Sequence, residues 1–231
     1  MVLMLIERKY PLDEVIFYDT GMEFKAIYNN REKLKPILEK NNIKFIEVHP
    51  RQPFLYTMLE KPVNGPNGPH NGYGWCGGTC RWGTTEKILT LDKHIIPPPQ
   101  THYIGIAADE TERLNRLVSP KCAPLSWFGV TEKNALEYCY NNGWDWKEET
   151  STTDSGYIDL YDILDRVSCW CCANKNRKEL KNIWMYLPEY WNKLKSLQSK
   201  IERPMKKYCN KQYGNYGNLF DLEKVFQKEE A

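Results

Sequence analysis

Two groups of cysteines carry the most specific chemical signal in this chain. Cys76 and Cys80 are separated by three residues in a glycine-rich stretch, and Cys169-Trp170-Cys171-Cys172 contains a CxxC spacing with a further cysteine inside it. Two cysteine pairs far apart in sequence can supply four thiolates to one zinc ion or one iron–sulfur cluster. That reading takes Cys76, Cys80, Cys169 and Cys172 as ligands, with Cys171 as a substitute if Cys172 points inward. A structural four-cysteine zinc comes first, because it needs no redox partner and would close a long loop. Reduced structural thiols, one redox-active pair and a disulfide are the competing readings. Four thiolates outweigh a divalent ion, so nearby cations would help, and Arg81, Lys87, Lys175 and Arg177 are the candidates. Cys122 and Cys139 read as core, and Cys209 as an incidental thiol. Eight cysteines without a secretion signal suit a reducing, cytoplasmic compartment.

A second set of polar residues stands where strands are expected to end. Asp19-Thr20-Gly21 follows the apolar run 14–18 and offers a carboxylate, a hydroxyl and close backbone approach to a ribose or a metal-bound phosphate. Asp109-Glu110 follows the run 102–106. Each acidic turn reads equally well as a cap on the next helix. Arg81 and Lys87, on either side of Trp82, could meet a phosphate or be solvated surface. The four histidines show no ligand spacing, and His70, in the glycine-rich stretch, is the one of interest. Neither GxSxG nor GxxxxGK[ST] occurs.

The elements that must position these residues follow from periodicity. Residues 14–18 and 44–48 read as buried strands around a helical pattern that includes Phe24, Ile27, Leu34 and Leu38; this predicts a βαβ unit, a parallel sheet and a right-handed crossover. Pro36 predicts a kink or two short helices there. The first six residues read as the tail of a buried helix. Residues 61–75 read as a long loop, and 102–106 as a third strand. Thr131 to Asn142 reads as a helix with Thr131 as N-cap and Gly143 as its stop. A helical stretch from Cys172 to about Ile201, broken at Pro188, precedes a loosely held tail. The 231 residues, 41% hydrophobic and 27% charged, suit one domain, or one with an appendage. A net charge of +2 gives no electrostatic argument for nucleic acid, and no apolar run is long enough to span a membrane.

Several segments, in order, resemble the phosphoadenosine-phosphosulfate reductase family of the adenine-nucleotide α-hydrolase-like superfamily. They are Asp13-Glu-Val-Ile-Phe-Tyr-Asp-Thr-Gly-Met-Glu-Phe24; Arg81-Trp-Gly-Thr84 with Lys87; Ile104-Gly-Ile-Ala-Ala-Asp-Glu110 with Arg113; Pro124-Leu125 with Trp127; Leu160-Tyr-Asp-Ile-Leu-Asp-Arg-Val167; Cys169-Trp-Cys-Cys172; and Pro188-Glu-Tyr-Trp191. The match covers residues 1–203 and leaves 204–231 as a C-terminal tail. It is closest to an uncharacterised branch of bacteria and their phages.

The resemblance implies an α/β fold, a doubly wound parallel sheet with a C-terminal helical segment. An adenine nucleotide would lie across the strand ends. Asp19, Thr20, Gly21 and Lys87 would belong to that site, and Asp109, Glu110 and Arg113 would face its phosphates or sulfate. A 4Fe–4S cluster, the alternative to zinc, is what the family's cluster-bearing relatives suggest, and a thiol reductant would be a partner. Three departures stand out. The family's Ser-Gly-Gly-Lys-Asp-Ser phosphate loop would precede Met1, so the domain reads as N-terminally truncated and a weak nucleotide binder. Ala107 stands where an arginine is usual. No Glu-Cys-Gly-Leu-His motif is present, and only Cys209 stands in the tail. The family's Trp-Cys-Thr is here Trp82-Gly83-Thr84, and Cys76 or Cys80 would replace its thiol. The expected activity is that of a nucleotide enzyme acting on an adenylyl sulfate or an adenylated intermediate. The alternatives are an ATP-dependent adenylating sulfurtransferase of nucleic-acid sulfur modification and a non-catalytic remnant.

Overall fold

The computed structural model describes residues 1–66, 68–94, 100–206, 208–210 and 214–230. Its elements, in order, are α1 (Val2–Glu7), β1 (Glu14–Tyr18), α2 (Lys25–Lys40), β2 (Lys44–Val48), α3 (Phe54–Leu59), β3 (Pro62–Gly65) and β4 (Gly68–Asn71). A π-helical turn (Arg81–Glu86) then runs into α4 (Lys87–His94). β5 (His102–Tyr103), α5 (Thr111–Leu114), β6 (Lys121–Cys122), α6 (Pro124–Trp127) and α7 (Glu132–Asn141) follow. The last stretch holds β7 (Lys147–Glu149), β8 (Tyr157–Asp159), α8 (Leu160–Ile163), α9 (Arg177–Tyr186), α10 (Pro188–Gln198), β9 (Tyr208–Asn210), β10 (Gly214–Tyr216) and α11 (Leu219–Glu230). The fold is mixed α/β. Among the described residues every sheet is two-stranded.

The chain forms two compact units, residues 1–17, 29–47 and 91–145 in one, and 18–28, 48–90 and 146–231 in the other. In the first, Met4 and Leu5 of α1 are buried, in keeping with the apolar start of the sequence. β1 pairs with β2, and Phe17 stacks on Phe45 with ring centroids 6.5 Å apart. α2 runs unbroken through Pro36, where the sequence predicts a kink. Pro36 is exposed, so the carbonyl that loses its intrahelical donor can take one from water. The third strand is shorter than its apolar run suggests: only His102 and Tyr103 pair, in parallel with Lys121 and Cys122. α7 follows the capping signals, with Thr131 Oγ1 accepting from Asn134 N at 3.1 Å and Gly143 at φ +73°.

The second unit holds one contiguous apolar core that includes Phe24, Met58, Leu160, Leu180, Leu194 and Phe226. Two sequence expectations change here. The segment 61–75, read as a long loop, contains an antiparallel hairpin, with Pro62 opposite Asn71 and Gly65 opposite Gly68. Its Gly and Pro residues hide the strand pattern. The supposedly loose tail ends in α11, whose Leu219, Leu222 and Phe226 are completely buried. Trp191 donates its indole N–H to Glu223 at 2.8 Å, and Lys195 pairs with the same carboxylate at 2.9 Å. Phe226→Ala should therefore cost about 3–5 kcal/mol, measured by urea unfolding. A loss near zero would mean that α11 is not part of the core.

Candidate functional site

In the second unit the chain leaves β1 and turns through residues 19–24 before α2 begins. Asp19 and Thr20 are buried and Gly21 is exposed, at φ +74°. Asp19 Oδ1 accepts from Gly21 N at 2.7 Å and from the Tyr28 hydroxyl at 2.8 Å. Thr20 Oγ1 accepts from Met22 N at 3.2 Å and donates to Glu23 Oε1 at 2.9 Å. Both side chains thus hold the turn itself. Neither caps α2. That role falls to Glu148 of β7, only 3% exposed, whose carboxylate accepts from Lys25 N at 3.2 Å and Ala26 N at 2.9 Å. Tyr190 donates to the same carboxylate at 2.5 Å and accepts from Lys25 N at 3.1 Å. Burial, and then this bond to a carboxylate, push the Tyr190 phenol well above its ordinary range.

The cysteine segment lies along this turn. Trp170 N donates to Met22 O at 3.0 Å. Cys169 Sγ lies 3.6 Å from Thr20 Oγ1 and donates to Glu23 Oε1 at 3.3 Å. Two successive turns follow, with Cys172 N bonded to Cys169 O at 3.0 Å and Lys175 N to Cys172 O at 3.2 Å. Asn174 then grips the other cysteine loop with both ends of its amide: Oδ1 accepts from Gly78 N at 2.8 Å and Nδ2 donates to Gly78 O at 2.9 Å. That loop ends in Cys80, whose sulfur accepts from Gly83 N at 3.4 Å and caps the π-helical turn. A Cβ added to Gly83 would lie 3.7 Å from that sulfur.

The seven described cysteines are free. Among the described residues no three of the sulfurs of Cys76, Cys80, Cys169 and Cys172 come within 4.8 Å of one another. Tyr18 lies within electrostatic reach of both segments. Among the described residues its buried hydroxyl has no hydrogen-bond partner, and its phenol is pushed up to about 12, chiefly by burial, with Glu86, Cys169 and Cys80 adding and Arg51 opposing. Burial also raises the thiols of Cys169, Cys171 and Cys76, so in the metal-free fold these are protonated at neutral pH. Cys171 is buried in the core.

Lys175 is the exceptional cation. It is 2% exposed, donates to Ser168 Oγ at 3.2 Å, and holds its ammonium 5.3 Å from the Phe24 ring centre. Burial lowers its pKa, against the opposing pull of Glu179, Cys172, Cys169 and Cys171. Of the other cations expected near the thiolates, Arg81 lies close enough to Cys76 to favour its thiolate. Arg177 is turned to Glu229 and the Phe226 ring. Lys87 is exposed and makes no ion pair among the described residues.

Asp109, Glu110 and Arg113 belong to the first unit. There Asp109 Oδ1 accepts from Glu132 N at 3.0 Å at the start of α7, Glu110 Oε2 accepts from Ala107 N at 3.0 Å, and Arg113 pairs with Glu110. Asp109 thus serves the start of α7, whereas the acidic turn reads in the sequence as a cap on the next helix, α5, which has no side-chain cap. His70 is exposed, with Nδ1 3.3 Å from Gly68 O. The side chain of Cys209 lies outside the described residues.

No family model matches the chain, and no solved structure matches it. An uncharacterized protein of Methanocaldococcus jannaschii is 23% identical over 186 residues, which cover 78% of this chain and 40% of that protein. The chain thus spans about two-fifths of the length of the curated relative it matches.

Sequence reasoning missed Glu148, Asn174 and Tyr18. Nothing local announces the first two, because each acts on a segment distant in the chain. Glu23 was findable, since Thr20-x-x-Glu23 has the spacing of a capping box.

Two outcomes follow. Asn174→Ala should speed amide hydrogen exchange at Gly78 by at least about tenfold by releasing the loop 76–80; unchanged exchange would show that the amide does not hold it. Lys175 has a folded pKa below its unfolded one, so the unfolded state binds more protons and its destabilising effect fades as pH rises through that interval. In metal-free protein, urea unfolding should show the stability of wild type relative to Lys175→Met rising from pH 7 to pH 9.5.

Proposed function

We propose that the chain is a cysteine-dependent adenine-nucleotide enzyme of the phosphoadenosine-phosphosulfate reductase kind, acting in the cytoplasm on an adenylyl sulfate or an adenylated intermediate. The observation that carries the reading is the contact between Thr20 and Cys169. The turn that the resemblance assigns to the nucleotide, Asp19-Thr20-Gly21, touches the cysteine segment that it assigns to sulfur or metal chemistry. In this reading β1 and β2, which pair with each other, would belong to a doubly wound parallel sheet, with the nucleotide beyond their carboxyl ends.

Thiolate donors suit zinc or a 4Fe–4S cluster. Cys76, Cys80, Cys169 and Cys172 would hold it, and it would supply a closed structural centre or, as a cluster, an electron-transfer group. Cys80 has its sulfur beside Gly83, the position of the family's own thiol, and so stands in for it. Asn174 keeps the two loops together before any metal arrives. Glu23 accepts the Cys169 proton's hydrogen bond and would receive that proton when the sulfur becomes a ligand. A thiol reductant would be the partner of a reductive cycle.

Metal analysis of protein purified without oxygen tests the centre. One zinc or one four-iron cluster per chain is expected, lost in Cys80→Ser and Cys169→Ser. Less than one metal per chain, or full retention in both variants, would rule out the four-cysteine assignment. For the nucleotide, ATP or adenylyl sulfate at about 1 mM should shift the amide resonances of Thr20 and Gly21. If neither nucleotide moves them, the turn is not a nucleotide site.

A further inference from the structure

The last residue of β1 carries a hydroxyl that the fold buries and does not use. Tyr18 is 8% exposed, and among the described residues its Oη has no hydrogen-bond partner. We propose that Tyr18 is the hydrogen-bond donor to the Cys169 sulfur when that sulfur serves as a thiolate ligand. This role rests on the four-cysteine centre proposed above, and it adds to that centre a side chain from outside both cysteine loops.

The strand sets the position. Asp19 N donates to Val48 O at 2.8 Å, so the extended pairing runs past Tyr18. Side chains alternate along an extended chain, which puts Tyr18 and Thr20 on the same side of it. Thr20 Oγ1 is 3.6 Å from Cys169 Sγ. The longer Tyr18 side chain, two residues earlier, therefore lies along the side on which that sulfur stands. The electrostatics agree: burial raises the phenol most, and Glu86, then Cys169, then Cys80 add to it. Among the sulfurs, Cys169 acts on it most strongly.

The other acceptors in this neighbourhood are already engaged. Both oxygens of Glu86 are held by Arg51, through bonds of 2.6 and 3.0 Å. Glu23 Oε1 accepts from Thr20 Oγ1 at 2.9 Å and from Cys169 Sγ at 3.3 Å. Cys169 itself, as a thiol, is only a weak acceptor. A thiolate is different, because a charged acceptor forms a short and strong hydrogen bond. When Cys169 releases its proton to Glu23 and gives one electron pair to the metal, its sulfur keeps further lone pairs. The Tyr18 hydroxyl can then donate to one of them, with its own O–H bond intact.

The bond matters because the sulfur is buried. Water cannot solvate a thiolate there, so its charge must be met by protein groups. Lys175 acts on the same cysteine segment through its charge, whereas Tyr18 supplies a directed bond to one sulfur. A donor of this kind draws electron density from the thiolate. It fixes the orientation of the ligand and tightens the hold on the metal, and in an iron–sulfur cluster it raises the reduction potential.

The test loads the whole chain with cobalt(II) and follows the thiolate-to-cobalt charge-transfer absorption in wild type, Tyr18→Phe and Tyr28→Phe. Affinity is measured by competition with a chelator. Tyr18→Phe keeps the ring and removes only the hydroxyl. It should bind cobalt at least about tenfold more weakly than wild type. Its charge-transfer band should move to lower energy, because a thiolate without its donor gives up charge more readily. Metal-free Tyr18→Phe should be no less stable to urea than wild type, since in that form the hydroxyl has no partner to lose. Tyr28→Phe removes a 2.8 Å bond to Asp19, so it should lower the metal-free stability and leave the band in place. A wild-type chain that binds no cobalt overturns the four-cysteine centre and this role with it. Cobalt bound by wild type, with an unchanged band or affinity in Tyr18→Phe, overturns the role of Tyr18 alone. So does an equal band shift in Tyr28→Phe, or a Tyr18→Phe chain that loses stability or fails to fold without metal.

Discussion

The arrangement around the candidate site depends on one buried carboxylate. Glu148 is 3% exposed and takes two backbone N–H groups at the first turn of α2, together with the Tyr190 hydroxyl. A carboxylate this deep would be costly alone. Here the unpaired amides and the positive end of the helix dipole stabilise it, and it satisfies donors that would otherwise be orphaned. Three segments distant in sequence, β7, the start of α2 and α10, are thereby fixed to one another. The turn 19–24 inherits its position, because it must end where that helix begins.

From this follows the use of the side chains on the turn. With α2 capped from outside, Asp19 and Thr20 are free of that duty and close local turns instead, leaving Thr20 beside Cys169. A helix capped by its own Asp or Thr would have drawn one of these oxygens towards its first amides. The second cysteine loop arrives by a different device. Asn174 binds the backbone of Gly78 at both N–H and C=O, a pairing that fixes position without demanding a particular side chain on the loop. Backbone recognition of this kind suits a Gly77-Gly78 segment, which offers little else to grip.

What the sequence made legible was local. The strand 14–18, the cap at Thr131, the break at Pro188 and the turn at 19–21 all rest on neighbours a few residues apart, and each has its physical counterpart in the structure. The hairpin at 62–71 escaped because Gly, Pro and Asn deplete the alternating pattern by which strands are recognised. α11 escaped because the glycine-rich residues before it suggest a loose end, whereas its Leu219, Leu222 and Phe226 lie on one face. The site divides the same way. Its cysteines and its Asp19-Thr20-Gly21 turn could be named from residue type and spacing. Glu148, Asn174 and Lys175 could not, since a lone Glu, Asn or Lys has no signature until the fold brings its partner.

Lys175 also bears on what the cysteine segment is built to hold. A lysine buried to 2% exposure with one hydroxyl as its bonded partner sits at an energetic disadvantage. The carboxylate that acts on it, Glu179, already closes a capping box with Asn176 at the start of α9. The other groups that act on the ammonium are the sulfurs of Cys172, Cys169 and Cys171, which as neutral thiols offer it little. Their ionisation would change that balance. Under the proposed function, four thiolates around a divalent ion leave two negative charges in a poorly solvated place, and an ammonium already buried there offsets one of them without further desolvation. Under that function Lys175, costly to a fold with neutral thiols, would be favourable to one with thiolates.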